Sequence, residues 1–268
     1  MFSPIRRVAE VLTPKTITLG TALVLASVSG TYALKVRNRL RQTEPQRIQS
    51  NLQPSDSFKN SNTIQSLVNP LNQVTKGDSH SIILTLCSKN DVPSEEDVLS
   101  AFLKGFFAGP VFLPESIALS LFSVLKVSYS QLVPPSGQNP IWRFQQLSDT
   151  QLPPKGTILW DTFQVADIEL SANQAEEHTG SRVDVVFGDS RKEFAGCHRF
   201  TVKKMGNSNG SDEADEIRFR VSLECLVCNP STDGQGLPNF LHVLHNKYSY
   251  LLFRDAVAHI QEVFNNFS

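Results

Sequence analysis

Four residues in the C-terminal third have types and a spacing that metal chemistry uses: Cys225-x2-Cys228, followed by His242-x2-His245. Thiolate sulfur and imidazole nitrogen hold zinc when all four converge on one point. Convergence is opposed here. The two cysteines are three residues apart in a β-rich run, where side chains alternate, so they face opposite sides unless the strand bends before Pro230. The histidine spacing is one residue shorter than that of the usual Cys2His2 finger, and the segment between lacks a finger's helix composition. No metal is expected.

Other motifs that carry chemistry are absent. Gly206-Asn207-Ser208-Asn209-Gly210 has the letters of a Gly-x-Ser-x-Gly elbow but falls in a Gly/Asn/Asp loop that reads as a hairpin connection, and there is no Gly-rich phosphate loop or His-Glu-x-x-His, so no cofactor is expected. Gly188-Asp189-Ser190 reads as a turn, and Cys87 sits in an apolar run where a thiol is inert. Polar work must then come from side chains that strand alternation turns inward. In the run Gly196 to Lys204, His198 shares a face with Phe200 and Val202, whereas Cys197, Arg199, Thr201 and Lys203 point the other way. His198 is the catalytic candidate, and Phe200, Phe219, Val221, Tyr248 and Leu251 complete the expected ligand-binding set. A hydrogen-bonded structural histidine is the competing reading. Asp161 and Glu169 lie near Trp160 and Phe163, in a mixed pattern that assigns them no face.

The elements that position these residues follow from periodicity. His80 to Ser88 reads as a first strand. Pro93-Ser94-Glu95-Glu96-Asp97 opens a helix, with Ser94 as cap and three acids at the positive end of the dipole. Val98, Leu99, Phe102, Leu103, Phe106 and Phe107 then form an apolar stripe, which Gly109-Pro110 stops. Pro114 restarts a second helix carrying Glu115, Ile117, Leu121 and Phe122. Both helices are apolar enough to read as core. After a Pro-rich loop come β-rich stretches at Thr157–Leu170, Arg182–Phe187 and Cys197–Lys204. The clearest strand is Glu216–Cys228: Ile217, Phe219, Val221, Leu223, Cys225 and Val227 on one face, Arg218, Arg220, Ser222 and Glu224 on the other. That alternation predicts a sheet with one buried and one wet face. A long helix from about Pro238 to Phe264 closes the chain, the one element long enough to cover such a sheet.

Strand, two helices, antiparallel strands and a long terminal helix together resemble the helix-grip fold of the START-like (SRPBCC) superfamily. The stretch Gly196-Cys197-His198-Arg199-Phe200-Thr201-Val202, then Phe219 to Pro230, then His242 to Ile260 is also similar to an uncharacterised plant and bacterial family with a Gly-Glu-Glu-x-Phe block. Cys197 and His198 replace that block's two acids, so no role of those acids transfers. The resemblance implies an α+β domain whose curved antiparallel sheet wraps the last helix around an apolar cavity. It implies a bound hydrophobic small molecule. The alternatives are a cyclase- or isomerase-type enzyme acting on a terpenoid or polyketide intermediate of secondary metabolism, and a membrane-tethered interaction module.

The rest of the chain concerns location. Of 268 residues, 40% are hydrophobic and 19% charged, as in a globular protein, and the net charge of −1 argues against a nucleic-acid partner. Residues 16 to 34 carry no charge and are long enough to cross a bilayer as a helix. A single-pass membrane anchor is the leading reading; a signal peptide and a mitochondrial presequence are the alternatives. Lys35, Arg37, Arg39 and Arg41 behind the span place the main domain in the cytosol. The sequons at Asn209 and Asn266 would carry sugar only in the opposite orientation. Residues 42 to 79, rich in Asn, Gln and Ser, read as a polar disordered linker, leaving a single domain at 80 to 268.

Overall fold

The computed structural model describes residues 29–87, 92–122, 126–171, 180–205, 216–234 and 239–265. The chain divides into two units, residues 1–42 and 43–268. In the first, residues 29–41 form a helix, α1, that carries the basic string Lys35, Arg37, Arg39 and Arg41. Most of the expected span 16–34 lies outside the described residues, as do both sequon asparagines. Among the described residues no single helix is long and apolar enough to cross a membrane.

The second unit is an α+β fold built on one open antiparallel sheet. Its strands are β1 (Gln49–Asn51), β2 (Thr75–Cys87), β3 (Ile158–Leu159), β4 (Phe163–Glu169), β5 (Ser181–Gly188), β6 (Ala195–Met205) and β7 (Glu216–Cys228). They run in the order β1-β2-β7-β6-β5-β4-β3. The helices are α2 (Asp56–Lys59), α3 (Glu95–Ala108), α4 (Leu113–Phe122) and the terminal α5 (Asn239–Asn265). α3 and α5 pack on each other and on the same sheet, α3 over β6 and β5, α5 over β2 and β7. Gly105 permits that approach: a Cβ there would sit 2.6 Å from the Cβ of His259 and 2.9 Å from the Cα of Ala256.

α3 begins where its sequence says it should. The Ser94 hydroxyl accepts from the Asp97 amide, and the Asp97 carboxylate accepts from the Ser94 amide, a reciprocal capping box. Glu95, expected only to complement the dipole, does more. It is buried and accepts from the Ser181 amide and hydroxyl through Oε2 and from the Lys204 amide through Oε1. The helix start is thereby tied to β5 and β6.

Behind α3 lies an aromatic core. Phe102, Phe106, Phe107, Phe112 and Phe200 are almost fully buried and meet largely edge to face, the arrangement their ring quadrupoles favour. Trp160 joins them by stacking on Phe107 at 5.6 Å. Its backbone has φ 48° and that of Asp161 has φ 56°, and the Thr162 amide donates to the Leu159 carbonyl, so β3 and β4 join through a tight primed turn without glycine.

Residues 43–79 correct the sequence reading. The expected disordered linker is part of the fold: it supplies β1, α2, a π-helical turn at Thr63–Val68 and the first residues of β2. The domain begins near Thr43, not at residue 80. Average composition hid three apolar residues in useful places. Phe58, Ile64 and Val68 are buried with Tyr129, Ala166, Val186, Cys197, Leu226 and Cys228 against the second face of the sheet. That face was expected to be wet. On β7 the alternation holds from Phe219 to Val227 on the helix side, and Arg218, Arg220, Ser222 and Glu224 are only half-buried, but Leu226 and Cys228 lie under this cover.

Candidate functional site

Strand pairing sets a row of chemistry beneath α5. Asp78 of β2 is the direct partner of Cys225 of β7, and Cys225 is the direct partner of His198 of β6. All three point to the helix side. From above, α5 lowers His245, whose Nε2 is 3.2 Å from the Cys225 Sγ and whose ring stacks on His198 at 6.2 Å between centroids. Burial pushes the Cys225 thiol well up, helped by Asp78, and pushes His245 down. Both groups are neutral near pH 7, so they meet as a thiol and an imidazole and not as a thiolate–imidazolium pair. Cys228 faces the other side, its Sγ near the Val68 carbonyl, as alternation requires. Among the described residues no group of three or more His, Cys, Asp and Glu is arranged to hold a metal ion.

His198 lines an apolar cavity of about 160 Å³ between the sheet and α5. Phe106, Phe163 and Phe187 form much of the wall, with Phe187 4.8 Å from the imidazole. The polar lining is sparse. The Tyr248 hydroxyl donates to Glu115 Oε2 at 2.7 Å, and burial raises the Glu115 carboxyl above its ordinary range despite that bond. Two further lining atoms have no partner: His198 Nδ1 and Ser249 Oγ are both shut off from solvent and unbonded. Burial, with His245 nearby, drives His198 down to about 3, so it is a neutral imidazole.

Of the residues chosen from sequence, His198 and Tyr248 meet in this cavity. Phe200, Phe219 and Val221 are fully buried core residues and are not among the lining. Leu251 faces a separate cleft with Ser50, His80 and Tyr250. Leu244 is 58% exposed, on the outer side of α5, whereas its neighbour His245 faces the sheet. Asp161 is 3.6 Å from Lys126, and Glu169 pairs with Arg182; neither lines the cavity. His245, Ser249 and Glu115 were missed as a set. His245, Tyr248, Ser249 and Leu252 recur at helical spacing on one face, a signal present in the sequence. Glu115 gave none beyond its place in a first turn.

The acid side of the stability curve tests this placement. His198 is held at about 3 when folded but titrates near 6.5 when unfolded, so below pH 6.5 the unfolded chain binds the extra proton. The stability tied to neutral His198 is therefore complete above that value and is lost as the pH falls toward 3. Between pH 7 and pH 5 the loss is about 2 kcal/mol. His198→Phe is expected to remove this share of the acid limb and to hold or raise stability at pH 7, since it deletes an unbonded buried nitrogen. Urea melts at both pH values check it; an unchanged difference between them would place His198 in contact with water.

No protein-family model matches the chain, and no curated protein matches it.

Proposed function

We propose that the domain binds a small hydrophobic molecule bearing one polar group, held between the sheet and α5 in the START-like manner. A membrane anchor in the N-terminal segment would keep it beside a lipid phase with the main domain in the cytosol. The observation that carries the reading is the pair of unbonded polar atoms, His198 Nδ1 and Ser249 Oγ, in a cavity otherwise walled by phenylalanines. Leaving a buried polar atom unbonded costs about 1–3 kcal/mol, a cost that a ligand's hydroxyl or carbonyl would remove. The volume of about 160 Å³ suits one ring or a short branched chain; a cavity of about 150 Å³ is known to hold benzene. Ile117 and Leu121 of α4 and Phe240, Val243 and Leu244 of α5 are exposed apolar residues within eight residues of Glu115 or Tyr248 on the same helices. They suit entry from a membrane.

A second reading is supported by two polar groups of the cavity. Glu115, raised by burial, can give a proton, and His198, a neutral imidazole, can hydrogen-bond a substrate carbonyl, roles that isomerases use. A substrate of terpenoid or polyketide type would place only one ring or branch in the present volume.

Calorimetric titration with toluene and p-cresol tests binding. The cresol is expected to bind about tenfold more tightly, a difference of about 1.4 kcal/mol, and Ser249→Ala is expected to narrow that gap. Equal affinities, or no binding of either, would remove the proposal. Turnover of a cyclisable ligand that Glu115→Gln abolishes would favour the enzyme.

A further inference from the structure

A different polar chain lies at the opposite edge of the sheet. β1 pairs with β2 so that Ser50 and His80 are direct partners, and Asp78, two residues before His80, shares their face. The Ser50 Oγ is 2.9 Å from His80 Nδ1, and His80 Nε2 is 3.0 Å from Asp78 Oδ2. Both distances are within the reach that proton transfer requires. Asp78 and His80 are buried, whereas Ser50, on the sheet's outermost strand, is open to solvent. The imidazole is held by Tyr250 at 5.4 Å and Phe253 at 5.8 Å. A carboxylate only accepts, so His80 Nε2 carries the hydrogen toward Asp78. Nδ1 is left with its lone pair facing the serine hydroxyl. That is the geometry of a general base.

All three residues line a cleft of about 440 Å³ distinct from the one containing His198. Leu52, Tyr250 and Leu251 give it an apolar wall, and Lys247 is the only cation among its described lining residues. We propose that this cleft is a hydrolytic site for esters of short apolar acids, with Ser50 as nucleophile, His80 as base and Asp78 as the residue positioning His80. Ser50 Oγ bonds to the ester carbonyl carbon as its proton passes to His80 Nδ1. The tetrahedral adduct collapses by breaking the bond to the alcohol oxygen, which leaves with the proton from Nδ1. Water then adds to the acyl carbon, giving a proton to Nδ1, and Ser50 Oγ departs and recovers it. One ester and one water yield one acid and one alcohol. Lys247, in the same lining, carries the sign of charge that an oxyanion needs.

The experiment uses the full chain, an alkyl fluorophosphonate probe and p-nitrophenyl butyrate. Labelling is expected at Ser50, with peptide mapping to locate it, and Ser50→Ala, which lowers the melt by leaving His80 Nδ1 without its partner but keeps the fold, is expected to abolish both label and turnover. Asp78→Asn is expected to lower kcat by about 10²–10⁴-fold with KM little changed, because it spoils the histidine tautomer and leaves the cleft alone. Since substitutions at buried Asp78 and His80 also risk the fold, Ser50→Cys supplies an independent reading. Its thiol beside His80 is expected to react with iodoacetamide at pH 7 at least tenfold faster than a free cysteine. A folded protein whose Ser50 takes no label, a label that survives Ser50→Ala, or an ordinary thiol rate in the Ser50→Cys variant overturns the proposal and leaves the three residues as an edge-strand tether.

Discussion

A chain beginning at residue 80 is expected to lose cooperative folding, whereas one beginning at Thr43 keeps it. The shorter piece lacks β1, the first five residues of β2 and the only described helical segments on the sheet's second face, α2 and the π-helical turn. Phe58, Ile64 and Val68 are each at most 2% exposed, and their removal uncovers Cys197, Leu226 and Cys228. Loss of a single buried side chain of this size costs about 2–5 kcal/mol. Three together approach the whole stability of an ordinary domain, about 5–15 kcal/mol. The deletion also removes the Thr63 hydroxyl, which donates to Asp184 at 2.6 Å. Guanidinium melts of the two pieces, followed by circular dichroism, check the result. A sharp transition in the 80–268 piece would show that the cover is an accessory to the fold.

Asp184→Ala is expected to cost about 3–5 kcal/mol, the range found when one partner of a buried ion pair is removed. Asp184 is 1% exposed and Arg199 6%. They meet side-on, Nε to Oδ1 and Nη2 to Oδ2, each at 2.7 Å. Burial works against the guanidinium charge, and the bonds to Asp184 more than offset it, so Arg199 stays charged. Without the carboxylate that charge is left over the Phe58 ring, 4.6 Å away, with water largely excluded. Replacing both partners with leucine is expected to recover much of the loss, because an apolar pair of similar volume carries no desolvation cost. Chemical denaturation of the single and double variants measures the difference. An Asp184→Ala loss under about 1 kcal/mol, the level of an exposed pair, would mean that solvent reaches Arg199.

Much of the secondary structure was legible because its causes are local. The alternation of β7 named its ends, Glu216 and Cys228, and Ser94 as cap marked the start of α3. The inward face of β6, with His198, Phe200 and Val202 opposite Arg199, came from the same two-residue period. One end of the cavity was thus visible beforehand. The rest depended on partners far apart in the chain. Thr63 meets Asp184 across 121 positions, and Tyr248 meets Glu115 across 133. No window of sequence contains either pair.

The residues 43–79 show the same limit in another form. Their composition is polar, yet what decides order is where Phe58, Ile64 and Val68 land, and that surface exists only after β5, β6 and β7 have paired. Pairing register likewise placed Ser50 opposite His80, and Cys225 between Asp78 and His198. Periodicity tells which way a side chain points from its own strand. It carries no information on which strand lies alongside or at what offset, and a shift of one residue would turn every one of these groups to the opposite face.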